Sequence, residues 1–237
     1  MTPPRMRPRH RRTLRRVLIA LPTLVVTGLF ALQVWYLAWV FHYAGHDPET
    51  TAFMEMRRAE GTSIEHRWID YAAMSRWLKR AVVAAEDARF MQHNGFDWQA
   101  LQKALQENLE AEGIVRGGST ISQQLAKNLF LSPRQSYLRK AQEALITLML
   151  EAVLDKRRIL ELYLNLIEWG DGVFGAAAAA RHYYDTPAGS LGRWQAAMLA
   201  ARIPNPHYYD RRGATPFLLE RAGDIHGWSN MVRIPDG

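Results

Sequence analysis

The feature that most constrains this chain is a long apolar stretch near its N-terminus. Val17 to Phe41, VLIALPTLVVTGLFALQVWYLAWVF, contains no Asp, Glu, Lys or Arg over 25 positions. A helix rises about 1.5 Å per residue, so about 20 residues cross a hydrocarbon core of about 30 Å. The alternative is a cleaved signal peptide, whose apolar region is about 7 to 15 residues long and ends at a small-x-small site. The greater length here favours a retained transmembrane anchor over residues 17–43.

The charges beside this stretch predict its orientation. Residues 1–16 carry seven Arg and no acid, whereas Asp47 and Glu49 follow the stretch. Because basic flanks stay in the cytoplasm, we expect residues 1–16 to form a cytoplasmic tail and residues 44–237 to lie outside the membrane. Of the 30 Lys and Arg, those seven leave 23 against 23 acids, although the whole chain carries +7. A nucleic-acid partner is therefore disfavoured, because the outer part has no formal net charge.

Beyond residue 44 the sequence predicts an all-α fold in one domain. Apolar residues recur at three- and four-residue spacing, and convincing alternating strands are not found. The chain has no cysteine, which excludes disulfide staples and thiolate metal sites. The glycine-containing segment 110–118 is typical of a mobile loop. The predicted helices cover 71–91, a segment from Asp97 to about 110, 120–131, 138–154, 156–169, the GAAAAARHYYD segment and the LGRWQAAMLAAR segment before Pro204.

One predicted helix, in GGSTISQQLAKNLFL, carries an unusual set of polar residues. Thr120 and Gln123 fit a capping box, and a stripe of Ile121, Leu125 and Leu129 predicts a core-facing side. The other stripe offers amides, a hydroxyl and a cation, which suit an anionic, hydroxyl-rich ligand. A capped surface helix and the wall of a binding cleft both fit the pattern. The second stripe consists of Thr120, Gln124, Lys127 and Asn128.

Acidic residues at the end of an apolar run suggest general-base chemistry. Glu86 follows Val82 to Ala85, and burial there would raise the carboxyl pKa and improve the group as a base. The alternative is a helix whose solvent side begins at Glu86. His93 and Asp97 have a spacing that a metal could use, but the Asn94-Gly95 turn between them favours a structural, hydrogen-bonded His93.

A second charged cluster lies at the start of the 138–154 helix. Arg139 and Lys140 stand four and three residues before Glu143. A surface ion pair is the simple interpretation, but the cation-before-acid order is the less favourable one on a helix. Stability is therefore a weak reason for this arrangement.

Four segments in order resemble one family. EDARFMQHNGFD, GGSTISQQLAKNLFL, RKAQEALITLMLE and KRRILELYLNLIEWGDGVFGAAAAARHYYD resemble the motifs of the peptidoglycan glycosyltransferases of family 51, over roughly residues 68–206. The resemblance implies an all-α, lysozyme-like glycosyltransferase domain with a single N-terminal transmembrane helix. It implies a polymerase that moves a growing lipid-diphosphate-linked glycan onto the 4-hydroxyl of lipid II, with inversion, to form β-1,4 linkages. The chain has no S-x-x-K motif, so no transpeptidase activity is expected.

The resemblance also assigns roles to individual residues. Glu86 would deprotonate the acceptor hydroxyl, and Glu143 would act near the donor diphosphate or its metal ion. A divalent cation, Mg²⁺ or Mn²⁺, is implied as a cofactor. The implied substrate-binding residues are Asp87, Phe90, His93, Thr120, Gln124, Lys127, Asn128, Arg134, Arg139 and Lys140.

The expected partners are lipid II, lipid-linked glycan and other wall-synthesis or division proteins, at the bacterial inner membrane with a periplasmic catalytic domain. A glycan-cleaving lytic transglycosylase or muramidase is the alternative enzyme, since it shares the general fold and a catalytic Glu. It has no need for four cations near a diphosphate. A catalytically silent scaffold is the remaining alternative, and it would not need the polar cluster.

Overall fold

The structure, a computed structural model, describes residues 8–110, 118–134 and 136–236, with side chains from residue 18 onward except that of 108. The predicted loop at 110–118 falls almost wholly outside these residues, as does the start of the basic tail. The expected all-α fold is confirmed. The described helices are α1 (Pro8–Tyr43), α2 (Ala52–Ala59), α3 (Arg76–Glu86), α4 (Trp98–Glu110), α5 (Ile121–Phe130), α6 (Tyr137–Val153), α7 (Lys156–Leu166), α8 (Ala176–Tyr184), α9 (Arg193–Arg202), α10 (Pro206–Arg212) and α11 (Pro216–Trp228).

Helix α1 contains the apolar stretch and continues through Pro22. Its segment Leu18–Tyr43 is long enough to cross a membrane, and an 18-residue window within it has a mean hydropathy of 1.9. Residues 18–32 are all exposed, as suits side chains that face lipid. The helix therefore fits a single-pass membrane anchor.

The predicted helix over 71–91 is wrong in its extent. The segment forms a 3₁₀ turn at Tyr71–Ala73, then α3, then a second 3₁₀ turn at Phe90–Gln92. Ser75 starts α3 because its hydroxyl accepts a hydrogen bond from the Trp77 N–H at 3.2 Å. Asp87, at φ −162°, ends it. Glu86 is consequently the last residue of a helix, at the edge of the loop that follows.

A small sheet is the second departure from the sequence prediction. Strands β1 (Glu65–His66), β2 (Glu168–Gly170) and β3 (Val173–Phe174) lie in the order β1-β3-β2, with β2 and β3 antiparallel. The helix predicted to reach Trp169 therefore ends at Leu166. Gly172 makes the hairpin possible, since it has φ +78° and a Cβ there would lie 2.2 Å from the Ser63 carbonyl oxygen.

Helix α5 lies at the centre of the domain, packed against α2, α6 and α7, while α3 packs on α9 and α11. The predicted apolar side of α5 is confirmed, because Ile121 and Leu125 are 0% exposed and Leu129 is 5% exposed. Most alanines of α8 and α9 are buried, as their small side chains allow close approach. This core brings the ends of α3, α5 and α6 together.

Candidate active site

The start of α5 is fastened to the loop that follows Glu86. The predicted capping box is present: the Gln123 N–H donates to Thr120 Oγ1 at 3.2 Å, and the Thr120 N–H donates to Gln123 Oε1 at 3.0 Å. Thr120 Oγ1 also donates to the Gly95 carbonyl at 2.7 Å. The Thr120 hydroxyl is thus engaged in holding the helix, and substrate binding by Thr120 stays a prediction.

Asp87 makes a second connection between the loop and α5. One carboxylate oxygen accepts from the Ile121 N–H at 3.0 Å, and the other accepts from His93 Nε2 at 2.8 Å. Phe90 is buried, and the Lys156 ammonium lies 4.4 Å from the centre of its ring. Asp87 and His93 are thus joined to the start of α5, Phe90 is buried, and substrate binding by these three residues stays a prediction.

The structure favours the hydrogen-bonded interpretation of His93. Asp97 is occupied as the cap of α4, since its carboxylate accepts from the Ala100 N–H at 2.9 Å, and it also faces Arg89 at 3.3 Å. Potential ligand atoms of Asp87, His93 and Asp97 do lie within 4.8 Å of one another. Each of these side chains nevertheless has a structural partner that accounts for its position.

Glu86 has one satisfied and one unsatisfied carboxylate oxygen. Oε2 accepts from Gln124 Nε2 at 2.9 Å, and the Tyr163 hydroxyl donates to Gln124 Oε1 at 2.9 Å. The tyrosine thereby fixes the amide with its NH₂ group toward Glu86. Oε1 has no hydrogen-bond partner among the described residues, and Arg221 Nη2 lies 3.5 Å from it. This buried oxygen therefore has an acceptor position that no described hydrogen-bond donor uses.

The surroundings of Glu86 raise its pKa above the ordinary value for glutamate. Burial is the main cause, and Asp87 adds to it, while Gln124, Arg221 and Lys127 act in the opposite direction. The side chain is only 10% exposed, which does not fit a helix whose solvent side begins at Glu86. Glu86 is therefore a desolvated carboxyl group of the kind that serves as a general base.

The second charged cluster is buried at its centre. The Glu143 side chain is 4% exposed and accepts from Arg139 Nη1 at 2.7 Å and from the Lys140 ammonium. Arg139 is 17% exposed and Lys140 is 49% exposed, so the cations are more accessible than the acid. A simple surface ion pair does not describe this arrangement, in which a buried carboxylate holds two cations toward the outside.

Lys127 interacts electrostatically with both carboxylates. Burial lowers its pKa, Glu143 and Glu86 raise it, and the neighbouring cations Arg139 and Lys140 lower it. It sits on α5 one turn after Gln124, the residue that binds Glu86. Lys127 therefore links the surroundings of Glu86 to the Arg139–Lys140–Glu143 cluster, and we call this group of residues the candidate cleft.

Asn128 and Arg134 are two further predicted binding residues. The Asn128 amide donates to the Gln124 carbonyl oxygen at 2.8 Å, which supports the turn of α5 that carries the contact with Glu86. Arg134 is exposed between α5 and α6, where its N–H donates to Ser132 Oγ at 3.3 Å. Substrate binding by either residue stays a prediction.

The donor groups around Glu143 do not by themselves suit a divalent cation. Both carboxylate oxygens already accept from cationic groups. In the described part of the chain, two sets of three His, Asp or Glu side chains could share one ion, and neither includes Glu143. Mg²⁺ and Mn²⁺ prefer several oxygen ligands, so a preformed protein site is not present at this carboxylate.

Two residues of the site carried no signal in the sequence. Arg221 comes from α11, in the C-terminal region whose role the motifs leave open, and Tyr163 comes from the apolar side of α7. In the sequence Tyr163 looks like an ordinary core residue, and in the structure it is 0% exposed. Only the packing of α11 and α7 around α3 and α5 brings these side chains to Glu86 and Gln124.

Comparisons with known proteins show the family of the chain. The model of a family described as transglycosylase matches residues 53–226. The chain is 54% identical over 220 residues to a protein from Laribacter hongkongensis named biosynthetic peptidoglycan transglycosylase, covering 89% of this chain and 96% of the relative. Proteins of the same name from Dechloromonas aromatica (54% over 215 residues, 88% and 91% coverage) and Alcanivorax borkumensis (50% over 222 residues, 94% and 90%) are also similar. None of these names describes a glycan-cleaving enzyme.

Proposed function

Because the chain belongs to the transglycosylase family, we propose that it polymerises the glycan strands of peptidoglycan from a lipid-linked precursor. The observation that carries the proposal is that Lys127 interacts electrostatically with both the desolvated Glu86 and the Arg139–Lys140–Glu143 cluster. This is the arrangement that a reaction needs when a hydroxyl attacks at one end and a diphosphate leaves at the other.

Glu86 acts as the base in this mechanism. Its Oε1, which accepts no hydrogen bond from the described residues, takes the proton from the 4-hydroxyl of the acceptor sugar, and that hydroxyl oxygen attacks C1 of the donor sugar from the face opposite the diphosphate. The bond from C1 to the diphosphate oxygen breaks as the new bond forms, so the configuration at C1 inverts. Glu86 then releases its proton to solvent.

The cations stabilise the leaving group. A lipid diphosphate gains negative charge as its bond to C1 breaks, and cations already in place need little rearrangement at that moment. Lys127 and the more exposed Arg139 and Lys140 supply this charge, with Arg134 as a further candidate. Glu143 positions the cation pair, because it holds both groups from the buried side.

The expected divalent cation, Mg²⁺ or Mn²⁺, is a weaker part of the proposal. Such an ion would supply additional positive charge to the diphosphate when bound. The Glu143 carboxylate is already engaged by Arg139 and Lys140, so no step of the mechanism depends on the ion.

The location follows from the anchor. We place the N-terminus in the cytoplasm and the catalytic domain in the periplasm, since seven Arg precede the span. Lipid II and lipid-linked glycan reach the site from the membrane, and other wall-synthesis or division proteins are candidate partners. No transpeptidase activity is assigned.

The proposed activity is tested by placing the purified full-length chain in vesicles with the lipid-linked disaccharide precursor. We expect glycan strands that lengthen with time, seen by gel electrophoresis of the products. A second arm supplies finished glycan. Release of soluble fragments from that glycan, without polymer formation from the precursor, would contradict the proposal and support a cleaving enzyme.

The pH dependence of the rate tests Gln124 as the residue that tunes the base. The rate should fall as the pH drops through the raised pKa of Glu86, because only the ionised carboxylate accepts a proton. Gln124 lowers that pKa by donating to the carboxylate, so Gln124→Met should move the acidic limb of the kcat profile to higher pH. Tyr163→Phe, which keeps the Gln124 donor, serves as the matched control and should move the limb less. An unmoved limb in Gln124→Met would remove Gln124 from this role.

A further inference from the structure

One face of the anchor helix lies against the catalytic domain. Tyr36 and Val40 are buried, and Gln33 and Tyr43 are half-buried, at the three- and four-residue spacing of a single helix face. The residues before position 33 are exposed back to residue 18. The anchor is thus packed on the domain along its last turns, beginning at Gln33.

An amide pair makes the first contact. Gln33 Nε2 donates to Gln142 Oε1 at 3.0 Å, and Gln142 Nε2 donates back to Gln33 Oε1 at 3.0 Å. Gln142 lies on α6 immediately before Glu143, which holds Arg139 and Lys140. The anchor is therefore bonded directly to the turn of α6 that carries the cation pair.

An aromatic cluster makes the second contact. Phe130 ends α5, three residues after Lys127, and its ring meets Tyr36 edge-to-face at 5.4 Å and Trp35 at 6.4 Å. Tyr43 lies 6.0 Å from the same ring. The anchor thus contacts both of the helices that supply cations to the cleft.

A guanidinium fixes the end of the anchor as well. Arg158 donates to the Tyr43 carbonyl at 2.9 Å, to the His46 carbonyl at 2.8 Å and to the Asp47 carboxylate at 2.9 Å. A cation at this point also complements the C-terminal end of the helix dipole. With three separate contacts, the anchor cannot swing as a loose tether.

The position of Gln33 along the helix defines a depth. It precedes Tyr43 by ten residues, which corresponds to about 15 Å of helix. Trp35, Trp39 and Tyr43 favour the headgroup region, so Gln33 lies where that region meets the hydrocarbon core. The first turn of α6 suits that depth, because Tyr137 is 96% exposed and Leu138 is 85% exposed.

We propose that Gln33 is a positioning residue that holds the cation cluster of α6 at the depth of the lipid diphosphate. This inference rests on the proposed polymerase function. An amide at this boundary needs a partner, since little water reaches it, and Gln142 is the partner that the fold supplies. A lipid-linked diphosphate then reaches the cations without leaving the bilayer.

The depth of α6 can be measured without any enzymatic activity. The chain has no cysteine, so Leu138→Cys gives a single labelling position for a fluorescent probe. In vesicles, lipids with a nitroxide on the acyl chain should quench this probe strongly. With Gln33→Leu added, quenching of the probe by the nitroxide lipids should decrease. Quenching of the same probe by a quencher dissolved in the water should increase. Equal quenching with and without Gln33→Leu would overturn the proposal.

A kinetic comparison tests the consequence for the substrate. Gln33→Leu should raise KM for a long-chain lipid-linked precursor about tenfold, the scale of one interhelical hydrogen bond, with kcat within about twofold. KM for a water-soluble short-chain analogue should not change, whereas general misfolding would impair both reactions. Thr23→Val is the matched control, because Thr23 bonds only within α1, to the Ile19 carbonyl. An unchanged KM for the long-chain precursor would contradict the positioning role, while a wild-type chain inactive on both substrates would instead refute the polymerase function.

Discussion

Replacing Glu86 by glutamine is expected to lower kcat for glycan polymerisation by about 10²- to 10⁴-fold, the contribution of a positioned general base. The substituted side chain keeps the shape and the contact with Gln124 but cannot accept the proton of the acceptor hydroxyl. The rate is measured with the lipid-linked precursor in vesicles, under saturating substrate. Binding of the donor should change little, because the cations lie at the other end of the cleft.

Folding of the Glu86→Gln variant should be preserved. Its burial already disfavours the charged form, so a neutral amide fits the same environment. Thermal unfolding followed by circular dichroism checks this point. Glu65→Gln, which removes an exposed carboxylate on β1, is the matched control and should keep the wild-type rate. Wild-type activity in Glu86→Gln would show that another group accepts the proton.

Glu143→Gln is expected to reduce kcat/KM by about 10²-fold, the cost of misplacing a catalytic group by about 1 Å. The amide offers one acceptor oxygen in place of two, so Arg139 and Lys140 can no longer both be held. The NH₂ group would also face a cation. The loss should appear mainly for donor binding and leaving-group departure, and the pH limb that reports Glu86 should stay in place.

Stability must be separated from catalysis in this variant. Removing one member of a buried ion pair destabilises a fold, although the exposed Lys140 limits the effect here. Unfolding temperatures are therefore compared first, and rates are measured well below the lower one. If kcat/KM of the folded variant equals that of the wild type, Glu143 does not position the cations.

The local parts of this architecture could be predicted from the sequence. The apolar span, the capping box at Thr120 and the buried stripe of α5 depend on residues that are close together along the chain. Glu86 was identified because the apolar residues that desolvate it precede it directly. Such short-range patterns determine local structure with little help from the rest of the fold.

The remaining features depend on contacts between distant segments. Strands of two and three residues are too short to display a period of two, so the sheet gave no pattern to detect. The break in the predicted 71–91 helix comes from a serine cap within an otherwise helical pattern. In the sequence Arg221 and Gln142 look like surface residues of helices. Arg221 reaches Glu86 only because α11 packs on α3, and Gln142 reaches Gln33 only because α1 packs on α6.

The two links between α5 and the loop after Glu86 have a consequence for how a polymer can grow. Asp87 holds the Ile121 N–H and Thr120 holds the Gly95 carbonyl, so the base and Lys127 belong to one rigid frame. After each addition the strand must shift outward by one disaccharide before the next acceptor can enter. Since these two links hold Glu86 and Lys127 in one frame, we expect the product to move along the site while the site itself stays in place. Processive synthesis then depends on how strongly the cleft grips the finished sugars.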